Sequence, residues 1–264
     1  MLPRLVLIKG AGDLATGVAH RLWFAGFDIV MLELPEPLVV RRTVSFASAI
    51  YEETMEVEGV KARRCLSTEE AEALLKDKVV PVVVDPEGRS IEYFKPQIVV
   101  DAIMAKGNRL TDPGDAELVI GLGPGFTAGQ DVHVVIETKR GHDLGRVIYS
   151  GRAAADTGEP GKIEGHGRER LLRAPCEGRF QALRNIGELI KAGDTVARVD
   201  DMDLKAGLDG LLRGMLHSGL IVKAGMKVGD IDPRGSEVDY LTISDKARAI
   251  GGGILEAILH SYNR

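Results

Sequence analysis

The sequence predicts an α/β protein with a doubly wound, mostly parallel sheet, joined to a small all-β domain. Three observations predict this class. Short apolar runs alternate with helical patterns over residues 1–150, a glycine-rich turn joins the first run to the first helix, and a unit of about 32 residues is repeated after residue 170. Alternating strands and helices are typical of a parallel sheet that binds its ligand at the carboxyl ends of the strands.

The first predicted strand turns into a helix through Gly10-Ala-Gly-Asp-Leu-Ala15. Gly10 permits the tight turn, Gly12 lets the backbone approach a pyrophosphate, and Ala15 lets the helix pack on the strand. Free N–H groups at the helix N-terminus favour phosphate. An acid that ends the next apolar run would accept hydrogen bonds from a ribose. The predicted Rossmann-like nucleotide site comprises Gly10, Ala11, Gly12, Asp13, Leu14, Ala15 and Glu33. The alternative is a turn that only shapes the fold.

Further elements follow in the order expected of this class. Ser67-Thr-Glu-Glu70 is a capping box that predicts a helix over 71–75. Runs rich in β-branched residues predict buried parallel strands. The remaining predictions are a short helix over 43–51, a hairpin over 56–63 that turns at Gly59, and strands over 79–84, 98–102 and 117–120.

A second glycine loop follows the strand predicted over 117–120. We predict that Gly121, Gly123, Gly125 and Phe126 join the cofactor site, with the Phe126 ring available for stacking. Parallel strands would bring both glycine loops to one edge, which suits a ligand with two ends. The alternative is a structural turn and a core phenylalanine.

An internal repeat begins after a Gly- and charge-rich linker. Residues 174–200 align without gaps on 206–232, and each copy has the pattern of short strands around a Lys-Ala-Gly turn. The unit resembles the biotinyl/lipoyl hammerhead barrel, although Lys205 lacks the setting of a carrier lysine. The predicted domains are a nucleotide-binding domain (1–150), a linker (151–168), a repeat barrel (169–240) and a C-terminal helix that packs back on the first domain (241–264).

Composition excludes several classes of function. The net charge of −5 argues against a general binder of nucleic acids or anionic membranes. Two distant cysteines, Cys65 and Cys176, give neither a zinc motif nor a disulfide framework. No apolar run reaches the ~20 residues of a membrane span. We therefore expect a soluble, cytoplasmic protein.

Candidate catalytic residues are few. Asp131, His133, Glu137 and His142 are candidate metal ligands. In a strand, the Cα atoms of His133 and Glu137 would lie about 13 Å apart, too far to share one metal ion, so no metal site is predicted. Asp101 and Lys106 could meet a substrate, but surface ion pairs are favoured. The glycine triplet at 251–253, preceded by Lys246 and Arg248, could form an anion site, but a packing turn is favoured. Whether the protein is an enzyme stays open.

Five blocks in order resemble the YqeB family, accessory proteins of selenium-dependent molybdenum hydroxylase systems that are distantly similar to XdhC-type factors. They are 10–20, Arg41-Arg-Thr-Val, 121–138, 140–148 and Lys246-Ala-Arg-Ala-Ile-Gly-Gly-Gly. The resemblance implies a maturation factor that binds a nucleotide-bearing cofactor, such as molybdopterin dinucleotide, and contacts a client hydroxylase.

Two other functions stay open. An NAD(P)-dependent oxidoreductase would use Glu33 for NAD, or Arg41 and Arg42 for the 2′-phosphate of NADP. A non-enzymatic interaction scaffold would use the glycine loops only structurally. The expected cofactor is therefore a dinucleotide, either NAD(P) or molybdopterin dinucleotide. The sequence leaves self-association into a homo-oligomer open.

Overall fold

The computed structural model describes residues 4–105, 107–108, 111–156, 158 and 161–263. Lys106, one candidate substrate contact, lies outside them. The chain divides into two compact units. The first comprises described residues within 1–37, 45–156 and 243–264, and the second those within 38–44 and 157–242.

A nine-stranded mixed sheet forms the first unit. Its order is β10-β9-β7-β6-β1-β2-β5-β4-β3, and seven neighbouring strands run parallel between antiparallel strands at both edges. The bounds are β1 Leu5–Lys9, β2 Asp28–Glu33, β3 Thr54–Val57, β4 Val60–Cys65, β5 Val80–Val84, β6 Ile98–Asp101, β7 Leu118–Leu122, β9 Val134–Ile136 and β10 Val147–Ile148. The short strands β8 Thr127–Ala128 and β11 Gly151–Arg152 pair separately.

Five helices lie among the described residues of this unit: α1 Asp13–Phe24, α2 Ala49–Glu52, α3 Thr68–Lys76, α4 Ser90–Phe94 and α5 Asp245–Tyr262. One face of the sheet buries Leu7, Val30, Val99 and Val119 in a core that also includes Ala71 of α3. The N-terminus of α3 is fixed by Ser67, whose Oγ accepts the Glu70 N–H at 3.2 Å. The predicted helix start at Ser67 is confirmed, but only half of the capping box forms, because the Glu70 carboxylate accepts the Leu66 N–H at 3.0 Å and not that of Ser67. The hairpin at Gly59, the three strands and the C-terminal helix are confirmed.

The prediction of a doubly wound Rossmann-like fold is wrong. The sheet is mixed, because β3 and β10 run antiparallel to their neighbours. Helices also do not alternate with strands throughout. Among the described residues, the connection from β6 to β7 contains only a 3-10 turn at Pro113–Asp115, and the connection from β7 to β9 contains only the short strand β8. Residues 43–51, predicted as one helix, instead cover parts of two 3-10 turns and of the four-residue α2.

Two four-stranded antiparallel sheets form the second unit, in the orders β12-β19-β17-β14 and β16-β15-β13-β18. The bounds are β12 Leu171–Arg173, β13 Gly178–Ala182, β14 Leu189–Ile190, β15 Thr195–Val199, β16 Met202–Lys205, β17 Gly210–Met215, β18 Ile221–Val222 and β19 Lys227–Asp232. Each sheet takes one short strand from the other repeat, since β14 pairs with β17 and β18 with β13.

The hammerhead barrel is therefore a second wrong prediction. In the described part of the chain the repeats form two separate open sheets, and no ladder joins one to the other. The repeat itself is visible in the strands, whose turns fall at Gly193 and Gly225 with positive φ of 90° and 76°. Lys205 ends strand β16, so it lies within a ladder and not at a turn.

A buried charge network lies in the second repeat. Asp230 accepts hydrogen bonds from Arg170 at 3.0 Å and from Arg213, and its side chain is only 1% exposed. Asp232 accepts from Arg213 at 3.0 Å and from Arg234 at 2.8 Å. Buried carboxylates are tolerated when charged donors satisfy their lone pairs. The network therefore fixes β17 and β19 to the segment before β12.

Protonation of Asp232 in acid should lower the free energy of unfolding of the second unit. Burial acts to raise the pKa of Asp232, but hydrogen bonds from Arg234 and the charge of Arg213 outweigh it and hold this pKa below its usual 3.8. The stabilisation is complete above pH 3.8 and is lost as the pH falls through the folded pKa. We expect the free energy of unfolding, measured with urea at a series of pH values and followed by amide exchange in β17 and β19, to fall less steeply in acid for Asp232→Asn than for the wild type. If it falls equally steeply in both proteins, Asp232 is not the group responsible.

No helix in the described part of the chain is long and apolar enough to cross a membrane.

Candidate functional site

The two predicted glycine loops lie at the same edge of the sheet. Lys9, Asp101 and Gly121 align across the neighbouring strands β1, β6 and β7, and each stands at or near the carboxyl end of its strand. The loops that follow these strands therefore leave from one edge. This is the placement that the sequence predicted for them.

The first glycine turn is shaped by close backbone contacts. Gly10 has a φ of 93°, and a Cβ there would lie 3.2 Å from the carbonyl oxygen of Ala102. The Gly10 N–H donates to the Leu32 carbonyl at 2.8 Å, and the Ala11 carbonyl accepts the Ala47 N–H at 2.8 Å. Any other residue at position 10 would be strained in conformation and would crowd the next loop.

Among the described residues, no side chain caps the N-terminus of α1. Gly12 is the N-cap residue in extended conformation, and the first intrahelical bond runs from the Thr16 N–H to the Gly12 carbonyl at 2.8 Å. The N–H groups of the first turn, at Gly12, Asp13, Leu14 and Ala15, therefore precede the ladder of helix bonds. Gly12, Asp13 and Leu14 are only half-buried. The helix end offers donors and a positive dipole to an anion.

Glu33 holds the first turn in place. One carboxylate oxygen accepts the Ala11 N–H at 2.8 Å and the other accepts the Leu34 N–H at 2.8 Å. Burial raises the pKa of Glu33 despite these hydrogen bonds. The carboxylate ties the end of β2 to the glycine turn.

The second glycine loop packs closely on its neighbours. A Cβ at Gly121 would meet the ring of Phe126 at 2.5 Å, and Phe126 is only 4% exposed, so its ring belongs to the core. A Cβ at Gly123 would lie 2.5 Å from the Thr138 hydroxyl, and one at Gly125 would lie 3.2 Å from the Ala105 carbonyl oxygen. The segment 102–105 thus contacts both glycine loops.

Helix α5 brings positive charge to the same edge. It packs alongside α1 in parallel: a Cβ at Gly17 would lie 2.6 Å from the Ala247 Cβ, and one at Gly251 would lie 3.1 Å from the Arg21 Cβ. The N-termini of both helices therefore lie together. Lys246, in the first turn of α5, is half-buried there.

The environment of Lys246 is strongly charged. Burial lowers the pKa of Lys246, as does the charge of Arg140, while Asp13, Glu137 and Asp245 act in the opposite direction. Arg140 itself pairs with Asp245 through two hydrogen bonds of 2.5 and 2.9 Å. The ammonium of Lys246 therefore lies among residues from α1, the loop after β9 and α5, close to the uncapped end of α1.

A buried hydrogen-bond chain supports the segment 102–105. The Thr111 hydroxyl accepts from Lys9 at 2.6 Å and donates to Asp101 at 2.6 Å. The other Asp101 oxygen accepts the Ile103 N–H at 3.0 Å. Burial raises the pKa of Asp101. Asp101 is 1% exposed, so it positions the segment and is not a surface ion pair.

The acidic and histidine residues considered for a metal have structural partners. Nδ1 of His133 accepts the Val119 N–H at 2.9 Å, and Asp131 accepts the Thr127 N–H at 2.7 Å. Glu137 accepts the N–H groups of Lys139 and Ala154, both at 2.7 Å. Among the residues with described positions, no three His, Cys, Asp or Glu side chains group as metal ligands.

The structure also shows where the arginine pair, the glycine triplet and Lys246 lie. Arg42 donates to the Met215 carbonyl at 2.7 Å within the second unit, and Arg41 also lies in that unit. Gly251 and Gly253 lie inside helix α5 and are packed against Gly17 and Gly145, so these two glycines have a packing role but the triplet forms no turn. The sequence missed Lys246 as a partner of the α1 N-terminus, because only the parallel packing of α1 and α5 brings them together.

No family model matches the chain. The chain is similar to a protein of Escherichia coli (strain K12) described as "Uncharacterized protein YqeB", with 52% identity over 256 residues that cover 97% of this chain and 47% of that protein. The chain thus spans about half the length of the curated relative it matches. The identity supports the resemblance to the YqeB family. The description names no activity and so gives no support to molybdenum hydroxylase maturation.

Solved structures give weaker likenesses. An aspartoacylase family protein from Mesorhizobium loti aligns with 88% of this chain and 85% of its own, at 11% identity and a TM-score of 0.28. A succinylglutamate desuccinylase/aspartoacylase from Rhodobacter sphaeroides aligns with 87% of this chain and 85% of its own, at 14% identity and a TM-score of 0.26. Neither description names a Rossmann or hammerhead protein, and at these TM-scores the likeness carries no argument about activity.

Proposed function

We propose that this relative of YqeB binds a phosphate-bearing nucleotide ligand, NAD(P) or molybdopterin dinucleotide, at the carboxyl edge of the nine-stranded sheet. The observation that carries the proposal is the half-buried Lys246 beside the uncapped N-terminus of α1. A helix end supplies N–H donors in a fixed array, and a lysine supplies the compensating charge. Phosphate would then be bound by a few neighbouring groups, because a protein with a net charge of −5 does not attract anions over its whole surface.

The presence of two glycine loops at one edge favours a ligand that carries more than one binding group. Gly10 and Gly123 let the backbone pack closely on the segment 102–105 and on Thr138, because a Cβ at Gly10 would lie 3.2 Å from the Ala102 carbonyl oxygen and one at Gly123 would lie 2.5 Å from the Thr138 hydroxyl. Both loops leave the same edge of the sheet, so a long ligand bound along this edge would meet main-chain groups of both. Glu33 would accept from a ribose beside the first loop.

Titration calorimetry with NAD, NADP, molybdopterin dinucleotide and inorganic pyrophosphate tests this proposal. We expect at least one dinucleotide and pyrophosphate to bind. If folded protein binds neither any nucleotide nor pyrophosphate, the proposal fails, and a scaffold whose glycine loops are structural becomes the better explanation.

Removing the charge of Lys246 should weaken phosphate binding. A hydrogen bond to a charged group contributes about 1.5–3 kcal/mol, so Lys246→Met should raise the Kd about 10- to 100-fold. The matched control is Lys76→Met, at the exposed end of α3, which should leave the Kd unchanged. Equal affinities of wild type and Lys246→Met would remove Lys246 from the site.

We also propose that the ligand is held on behalf of a molybdenum hydroxylase. The support for this role is the resemblance of five sequence blocks to the YqeB family. Protein loaded with molybdopterin dinucleotide should restore activity to a hydroxylase that lacks its cofactor, and loaded Lys246→Met protein should restore less. Binding of NAD with no binding of molybdopterin dinucleotide would instead favour the oxidoreductase.

A further inference from the structure

Two large apolar side chains are exposed between the glycine loops. Ile103 is 45% exposed and Met104 is 36% exposed, and both follow directly after strand β6 and Ala102 at the carboxyl edge. The phosphate site explains neither of them. Apolar surface beside polar groups is typical of the part of a ligand site that receives a ring.

Hydrogen bonds and packing fix the positions of both residues. Asp101 accepts the Ile103 N–H, and the hydroxyl of Thr111 in turn fixes Asp101. Met104 has a φ of 58°, a conformation that costs free energy for a residue other than glycine. Its Cε lies 3.4 Å from the position of a Cβ at Gly123, so the side chain lies across the second glycine loop.

We propose that Ile103 and Met104 form an apolar platform for the flat ring system of the same ligand. The inference rests on the proposed phosphate site at α1. Phe126, the stacking residue predicted from sequence, is buried, whereas Ile103 and Met104 are exposed apolar residues that the structure describes between the two loops. Methionine suits the task because its thioether is polarisable and adapts to an aromatic face.

The separation of platform and phosphate site fits one nucleotide-sized ligand. A Cβ at Gly10 would lie 3.3 Å from the Ile103 nitrogen. Gly12 is two residues further along, and two residues span at most roughly 7 Å. Ring and phosphate would thus bind within roughly 11 Å of each other, so the site selects ligands that carry both groups.

The double variant Ile103→Ser, Met104→Asn tests the platform by calorimetry with NAD and inorganic pyrophosphate. Asparagine tolerates the left-handed conformation at position 104. The loss of apolar contact should weaken NAD binding about tenfold or more. Pyrophosphate, which has no ring, should bind the variant and the wild type equally.

Phe24→Ser is the matched control. Phe24 is also apolar and 64% exposed, but it lies at the far end of α1, about 18 Å from Gly12. This variant should bind both probes as the wild type does. Unchanged NAD affinity in the double variant, or an equal loss for NAD and pyrophosphate, would overturn the platform while leaving the phosphate site intact. If the wild type binds neither of these probes and also binds neither NADP nor molybdopterin dinucleotide, the proposed function itself fails and the platform with it.

Discussion

Gly253→Ala is expected to lower the free energy of unfolding of the first unit by about 1–3 kcal/mol, the usual cost of forcing an extra methyl group into a packed core. A Cβ at Gly253 would overlap the carbonyl oxygen of Gly145 and lie 3.3 Å from Cγ2 of Ile136. The Gly145 carbonyl belongs to the backbone, so it cannot rotate away as a side chain could. Helix α5 would have to move off β9 or the loop before β10.

The neighbouring residue provides the control. Gly252 is in the same helix, and a Cβ there would meet no atom within 4 Å. Because alanine favours the helix by about 1 kcal/mol over glycine, Gly252→Ala should stabilise the unit slightly. Trp23, the one tryptophan of the sequence, lies on α1, so its fluorescence reports urea unfolding of this unit. Equal effects of the two substitutions would contradict the close packing of α5.

Local sequence signals predicted the elements better than their assembly. Ser67 and Glu70 specify the start of α3 through contacts within four residues. The glycine turn after β1 is equally local, because a positive φ at Gly10 suffices to mark it. Such signals depend on backbone conformation and nearby hydrogen bonds, and these can be inferred from a single sequence.

The arrangement of the sheets depended on pairing between distant residues, which sequence patterns do not encode. Strand β10 runs antiparallel to β9 at one edge and β3 runs antiparallel to β4 at the other, and neither direction can be inferred from an apolar run. The repeat was visible at identical positions, but the exchange of β14 and β18 between the two sheets was not. These pairings make the predicted doubly wound and barrel architectures wrong.

The residues of the candidate site were also only partly predictable from the sequence. Gly10 and Gly123 were predicted from their loops, and the parallel strands bring them to one edge. Lys246 is more than 200 residues away in sequence and reaches the edge only because α5 packs in parallel with α1. Ile103 gave no sequence signal, since an apolar residue after a buried strand is ordinarily part of the core.

The second large effect is expected in the second unit. Asp230→Asn should destabilise it by about 3–5 kcal/mol, because removing one member of a buried ion pair leaves a buried charge uncompensated. That charge is the guanidinium of Arg170, whose side chain is 6% exposed and so meets little water. Arg213 keeps its hydrogen bond to Asp232 at 3.0 Å. Nε of Arg170 is already buried without a hydrogen-bond partner among the described residues.

The repeat supplies a contrasting exposed pair. Position 230 corresponds to Arg198 in the first copy, where the pairing partner is Asp203 at 2.6 Å on an exposed surface. Exposed pairs gain little, because water and salt screen them. Asp203→Asn should therefore leave the urea midpoint of the second unit unchanged, whereas Asp230→Asn should lower it strongly. Both are measured by amide exchange in β17 and β19. Similar midpoints for the two variants would mean that the buried network contributes no more than a surface pair, and that apolar contacts such as Leu172 and Ile231 stabilise these sheets instead.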